Sequence, residues 1–158
     1  MANTASLCTS FLAELMTATH NFGVAPIRAA TTADTFKGAL YLASATYNAS
    51  TTAYSATGEV TGTNYTAGGV TVTNATVPAS TNTSATAGTA YWTPSASLTY
   101  TNVTLTTAFD TVLIYNSTQS NKAVGVFTFC SQTITAGTFT LTMPSNTTST
   151  ALVRLATT

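Results

Sequence analysis

Threonine fills 40 of the 158 positions, about a quarter of the chain, and this narrows the possible folds more than any other feature. A side chain branched at Cβ restricts χ1 and favours extended backbone. Its hydroxyl also keeps an exposed strand face hydrated without charge. Charge is correspondingly scarce. Lys, Arg, Asp and Glu make up 5% of residues, where a globular domain has roughly 25%. Hydrophobic residues reach 44%, enough for a core. The chain therefore reads as a β-structured domain whose solubility rests on hydroxyls.

The charge that remains is balanced, with a formal net charge of zero. Neutral surfaces do not repel their own copies, which suits a subunit packed beside many others. Nucleic acid is an unsuitable partner, because Arg28, Lys37, Lys122 and Arg154 are scattered and form no basic patch. No membrane association is expected. No run approaches the roughly 18 apolar residues of a spanning helix. The opening MANTASLCTSFLAEL has neither the basic nor the apolar region of a signal peptide, so the product is expected to stay in the cytosol until assembled. Cys8 and Cys130 are then free thiols, Cys130 as a small core or edge hydrophobe ending VGVFTFC.

The pattern along the chain predicts an N-terminal arm over 1–9 and a helix over 10–22. Phe11, Leu15 and Phe22, with Leu12, Met16 and Thr19, share one broad helical face. Thr9 or Ser10 would cap its start and Glu14 would sit in an early turn. His20, Asn21 and Gly23 would end it, with Pro26 beyond. Period-two alternation follows over 35–42, with Phe36, Gly38, Leu40 and Leu42 on one side and Lys37, Ala39 and Tyr41 on the other. Residues 43–69 read as a long ordered loop closed by Gly68 and Gly69. VTVTNATV (70–77) reads as a strand and 78–88 as a linker. Further strands are predicted over 89–92, 98–106, 111–115, 122–129, 138–143 and 151–155. Turn chemistry separates them at Pro94-Ser95, Asn116-Ser117, Ala136-Gly137 and Pro144-Ser145-Asn146. These strands and one helix predict a single, mainly β domain over 1–158: an antiparallel β-sandwich or jelly-roll-like barrel with one N-terminal α-helix.

Candidate chemistry is thin. Any Ser-His-Asp or Cys-His arrangement would have to use His20, the one histidine, and a histidine at a helix C-terminus has a ready structural explanation. The carboxylates Glu14, Asp34, Glu59 and Asp110 fall in four segments. No HxxxH, CxxC or DxDxD spacing provides metal ligands. Ion pairs explain the acids better than a hydrolytic carboxylate pair does, and Asp34 can reach Lys37 or Arg28 locally. No cofactor, metal or enzymatic activity is expected. The aromatic residues read mainly as half-buried strand residues with hydroxyls at the rim. Tyr54 and Tyr65, flanking Glu59 in the long loop, are the best candidates for protein contact. Leu7 and Phe11 join them from the arm and helix.

Four stretches, CTSFLAELMTATHNF (8–22), DTFKGALY (34–41), TTAYSATGEVTGTNYTAGG (51–69) and VLIYNSTQSNKAVGVFTF (112–129), together resemble a family of small virion structural proteins of tailed bacteriophages. The resemblance weakens across 78–90. It implies a virion protein assembled in the host cytoplasm. A neutral β-domain suits capsid decoration: a cement protein over joints between subunits of the major capsid protein, paired with copies of itself as dimer or trimer. The alternative is a tail or fibre component contacting the host surface.

Overall fold

The computed structural model describes residues 3–16, 18–22, 33–74, 77–81 and 88–156. Gly23, Pro26 and Arg28, and most of the predicted linker, lie outside them. Its largest element is a hairpin of two long strands, β6 (Leu98–Asn116) and β7 (Lys122–Leu141). The turn between them is built by Asn116. Its Oδ1 accepts the N–H groups of Thr118 and Gln119 at 3.1 and 3.2 Å, the Asx geometry that competes with strand pairing. Ser120 and Asn121 follow at positive φ.

Neither strand is straight. Ile114 pairs with Gly38, yet Tyr100 of the same strand donates its hydroxyl to the Gly38 carbonyl at 2.8 Å. An extended strand would separate Tyr100 from Ile114 by about 46 Å. The hairpin must therefore fold back over the sheet, and register shifts between Tyr100 and Thr111 mark where it bends. Two residues in this bent region have left-handed backbone, Asn102 and Ala136, as bulges require. The predicted pairs of strands, 98–106 with 111–115 and 122–129 with 138–143, are thus two continuous strands. Ala136-Gly137 is a bulge within β7, where a turn was predicted.

The main sheet is antiparallel, in the order β1-β7-β6-β2-β3, with β1 at Ser6–Leu7, β2 at Phe36–Leu42 and β3 at Val70–Thr71. A second sheet, in the order β4-β5-β8, joins Ala79–Ser80, Thr89–Trp92 and Val153–Ala156. Both are open, so the fold is sandwich-like and the barrel alternative does not hold. Their buried side chains form one cluster. Of the expected strand 70–77, only Val70–Thr71 is extended, and 75–76 lie outside the described residues. The long loop 43–69 is ordered as predicted and forms no strand of its own, joining the sheet through isolated bridges and single backbone bonds such as Val60 N–H to the Leu40 carbonyl.

Aromatic chemistry differs on the two faces of the main sheet. On one face Tyr41 packs on Tyr47 and Tyr115 stacks on Tyr54 of the loop. On the other, Phe36 stacks on Phe22 at 4.4 Å, and Phe22 meets Phe11 and Trp92. Each ring fully buried this way contributes about 2–3 kcal/mol.

The helix α1 (Thr9–Met16) is shorter than predicted. Phe11 is buried and Leu15 packs against the core, but Leu12 is 44% exposed, outside the apolar face assigned to it. The cap differs as well. Phe11 N–H bonds the Cys8 carbonyl, and Ser10 Oγ is buried without a hydrogen-bond partner among the described residues. The arm is fixed in place. Asn3 bonds Leu42, Asp110 and Tyr47, Ser6–Leu7 pairs with β7, and Cys8 N–H bonds the Val124 carbonyl. Cys8 is buried and Cys130 exposed, both as free thiols.

Candidate functional site

Two polar clusters hold three of the four carboxylates and the one histidine. The first is centred on Glu59, 7% exposed. Its Oε2 accepts the Tyr54 hydroxyl at 2.7 Å. Its Oε1 accepts both the Tyr65 hydroxyl and the Gly68 N–H, each at 2.7 Å. The Tyr65 oxygen in turn accepts the Leu40 N–H at 3.0 Å, and Tyr115 donates to the Gly68 carbonyl at 2.9 Å. The loop is thereby tied to the edge of β2 by charge-assisted bonds to one carboxylate. Burial, with the Glu59 charge adding, pushes the Tyr115 phenol up to about 12. Burial raises Tyr54 and Tyr65 further, reinforced by their bonds to Glu59. These phenols remain donors throughout the physiological range.

The second cluster lies on the other face, at the turn end of the hairpin. His20 is buried against Phe11 and Phe36. Its Nε2 meets Glu14 Oε2 at 2.7 Å, and its Nδ1 meets Asn116 Nδ2 at 3.1 Å. The amide of Asn116 is oriented by its turn, since Oδ1 accepts two backbone N–H groups, so Nδ2 is the donor. That makes His20 Nδ1 the acceptor and places the ring proton on Nε2, facing Glu14. Asn116 Nδ2 also donates to Asp34 Oδ2 at 2.7 Å. Asp34 further accepts Asn21 N–H and Gln119 Nε2. Lys122 Nζ closes the chain on Glu14 Oε1 at 2.6 Å.

The expected roles shift accordingly. Glu14 lies near the end of α1 and binds Lys122, not the first-turn dipole. His20 lies beyond Met16 and serves the core. Asp34 bonds Asn21, Asn116 and Gln119; the local pairing with Lys37 is absent among the described residues, and Arg28 lies outside them. Of the predicted contact residues, Tyr54, Glu59 and Tyr65 do come together, but their polar atoms point into the knot. Leu7 is half-buried on β1 and Phe11 is a core residue, at 1% exposure. Tyr41, Tyr47, Tyr100, Tyr115 and Trp92 are buried too; the four tyrosine hydroxyls donate to backbone carbonyls and the Trp92 indole N–H to Asn74, inside and not at a rim. Cys130 is exposed, not core.

What these groups do chemically is hold the fold. Burial first, and then the nearby Glu14 charge, push the Cys8 thiol up to about 11, so it stays a thiol at neutral pH and a poor nucleophile. No group of His, Cys, Asp and Glu among the described residues is arranged to hold a metal ion. No helix among them is long and apolar enough to cross a membrane. An apolar cavity of about 90 Å³ between α1 and the small sheet is lined by Phe11, Leu15, Phe22, Trp92 and Leu155, among others. No family model, curated protein or solved structure matches this chain.

Glu14 makes the second cluster sensitive to acid. Burial pushes its carboxyl up, but the hydrogen bonds from Lys122 and His20, with the Lys122 charge, outweigh this and hold it below the ordinary value of 4.5. The unfolded chain therefore binds a proton there before the folded one does, and stability rises with pH through that window. The contribution is present above about pH 5 and is lost as pH falls through the lowered folded value. In urea titrations Glu14→Gln is expected to be less stable than wild type at pH 7, with the gap narrowing as pH falls through and below the ordinary carboxylate range. A gap unchanged with pH would show that Glu14 does not act through its charge.

Proposed function

We propose that this chain is a structural subunit of a tailed-phage virion, a capsid decoration protein lying over joints between major capsid subunits and stabilising the shell. The disposition of charge supports this reading most. Each of the four carboxylates accepts internal hydrogen bonds: Glu14, Asp34 and Glu59 in the two clusters, Asp110 from Asn3 and Thr111. The outer surface is left to hydroxyls, small side chains and a few cations. Such a surface can lie against neighbours without desolvating carboxylates, so its contacts rest on apolar burial and neutral hydrogen bonds.

The alternative, a tail or fibre component, would bind host sugars through exposed tyrosines and Asn/Thr loops. With most of the tyrosines turned inward it has less support. The arm is also a poor candidate for reaching the shell, because it is an edge strand of this protein's own sheet. Particles carrying the protein, washed from about 0.1 to 1 M salt, are expected to retain it, because screening weakens exposed ion pairs far more than apolar contacts. Release by moderate salt would contradict the proposal.

A further inference from the structure

The outer edge of β7 is open over most of its length. One side of the strand pairs with β6, while on the other β1 covers only Gly125 and Val126. Over 127–141 no described strand lies against that edge. This stretch, FTFCSQTITAGTFTL, contains no charged residue and no proline. Soluble proteins blunt open edges with Lys, Pro or inward-pointing charge. Here only bulges interrupt the ladder, in successive register shifts between 128 and 139.

We propose that this edge is a self-association surface, on which β7 of one molecule pairs antiparallel with β7 of a second copy across a two-fold axis perpendicular to the sheet. What an open edge binds is another extended backbone. Such an axis reverses the strand end for end but preserves its faces. Phe129 and Phe139, which cluster with Phe109, would continue the same row on the partner. The exposed Thr133 and Thr140 would meet hydroxyls. Across a two-fold axis residue i faces residue j and j faces i, so a strand carrying charge of one sign repels its own copy. A charge-free strand in a neutral chain does not, and its own copy matches it in length and alternation. The pairing gives the assembly reading above a specific contact and rests on it only for biological purpose. A protein that is monomeric in solution yet still binds shells would refute the pairing alone.

The test is sedimentation of the full chain from about 1 to 100 µM. Wild type is expected to form a dimer. Thr133→Lys with Thr140→Lys should weaken association at least about tenfold, with unchanged circular dichroism. Thr61→Lys with Thr66→Lys, adding equal charge on exposed loop positions, should still dimerise. A monomeric wild type, an edge variant that dimerises normally, or a loop variant as monomeric as the edge variant would each overturn the proposal. Hydrogen exchange on wild type reads the same edge without substitution, and covers the case in which the edge variant fails to fold. Amides over 127–141 should gain protection as concentration rises, and unchanged protection would also overturn it.

Discussion

Gly69→Ala is expected to lower the unfolding free energy by at least about 4 kcal/mol, among the largest effects of any single substitution in the chain. Gly69 has φ +73 and sits directly on β2. A Cβ there would lie 1.7 Å from the Gly38 carbonyl oxygen and 2.8 Å from Ala39 Cα. Backbone, not a movable side chain, occupies the space. Relief requires the loop to lift off β2, which strains the Gly68 N–H bond to Glu59 and the Tyr115 bond to the Gly68 carbonyl. Gly58 is the control. Its φ is +75, but a Cβ there meets the Ala45 methyl at 2.8 Å, a neighbour more able to give. Gly58→Ala should cost only about 1–2 kcal/mol. Equal denaturation midpoints for the two variants would show that the close approach at Gly69 is unimportant.

Glu59→Ala is expected to cost about 3–5 kcal/mol, because it strands the Gly68 N–H and two tyrosine hydroxyls in a buried site and leaves a cavity. For a chain of this length that corresponds to a fall in Tm on the order of 10 °C. Glu59→Gln should be far milder, about 1 kcal/mol. The amide oxygen can keep the two donors on Oε1, and the Tyr54 hydroxyl can rotate to accept from the new NH₂. Thermal denaturation of both variants separates a hydrogen-bonding role from any role in contact. If Glu59→Ala melts like wild type, the carboxylate does not hold the loop.

The parts of this fold that were legible in the sequence are those set by local pattern. The alternation at 35–42 located β2, the tyrosine-bearing stretch 43–69 was an ordered loop, and the breaks near Pro94, Asn116 and Pro144 are where strands stop. The continuity of β6 and β7 was not legible. A left-handed residue such as Asn102 or Ala136 has the same local chemistry in a turn as in a bulge. Only the partner across the ladder tells them apart. The inward orientation of the tyrosines was hidden for a related reason, since it depends on a hairpin bending back over its own sheet. The His20 cluster gave no signal at all. Lys122 lies 108 positions from Glu14, and Asn116 lies 96 from His20, with no motif spacing to connect them. Glu59 with its two flanking tyrosines was legible as a group, because all three lie within one short loop. Its direction, inward and not outward, was not.

The two clusters turn three of the four carboxylates and the one histidine inward. The remaining exterior, rich in threonine and poor in charge, is the basis for proposing that the chain is an assembly subunit. The most direct test is a low-resolution density map of virions carrying the protein, compared with particles lacking it. The account predicts difference density repeated over the joints between major capsid subunits, with copies on the order of hundreds per particle. Difference density confined to the tail, in a dozen copies or fewer, or absent from the particle altogether, would contradict it.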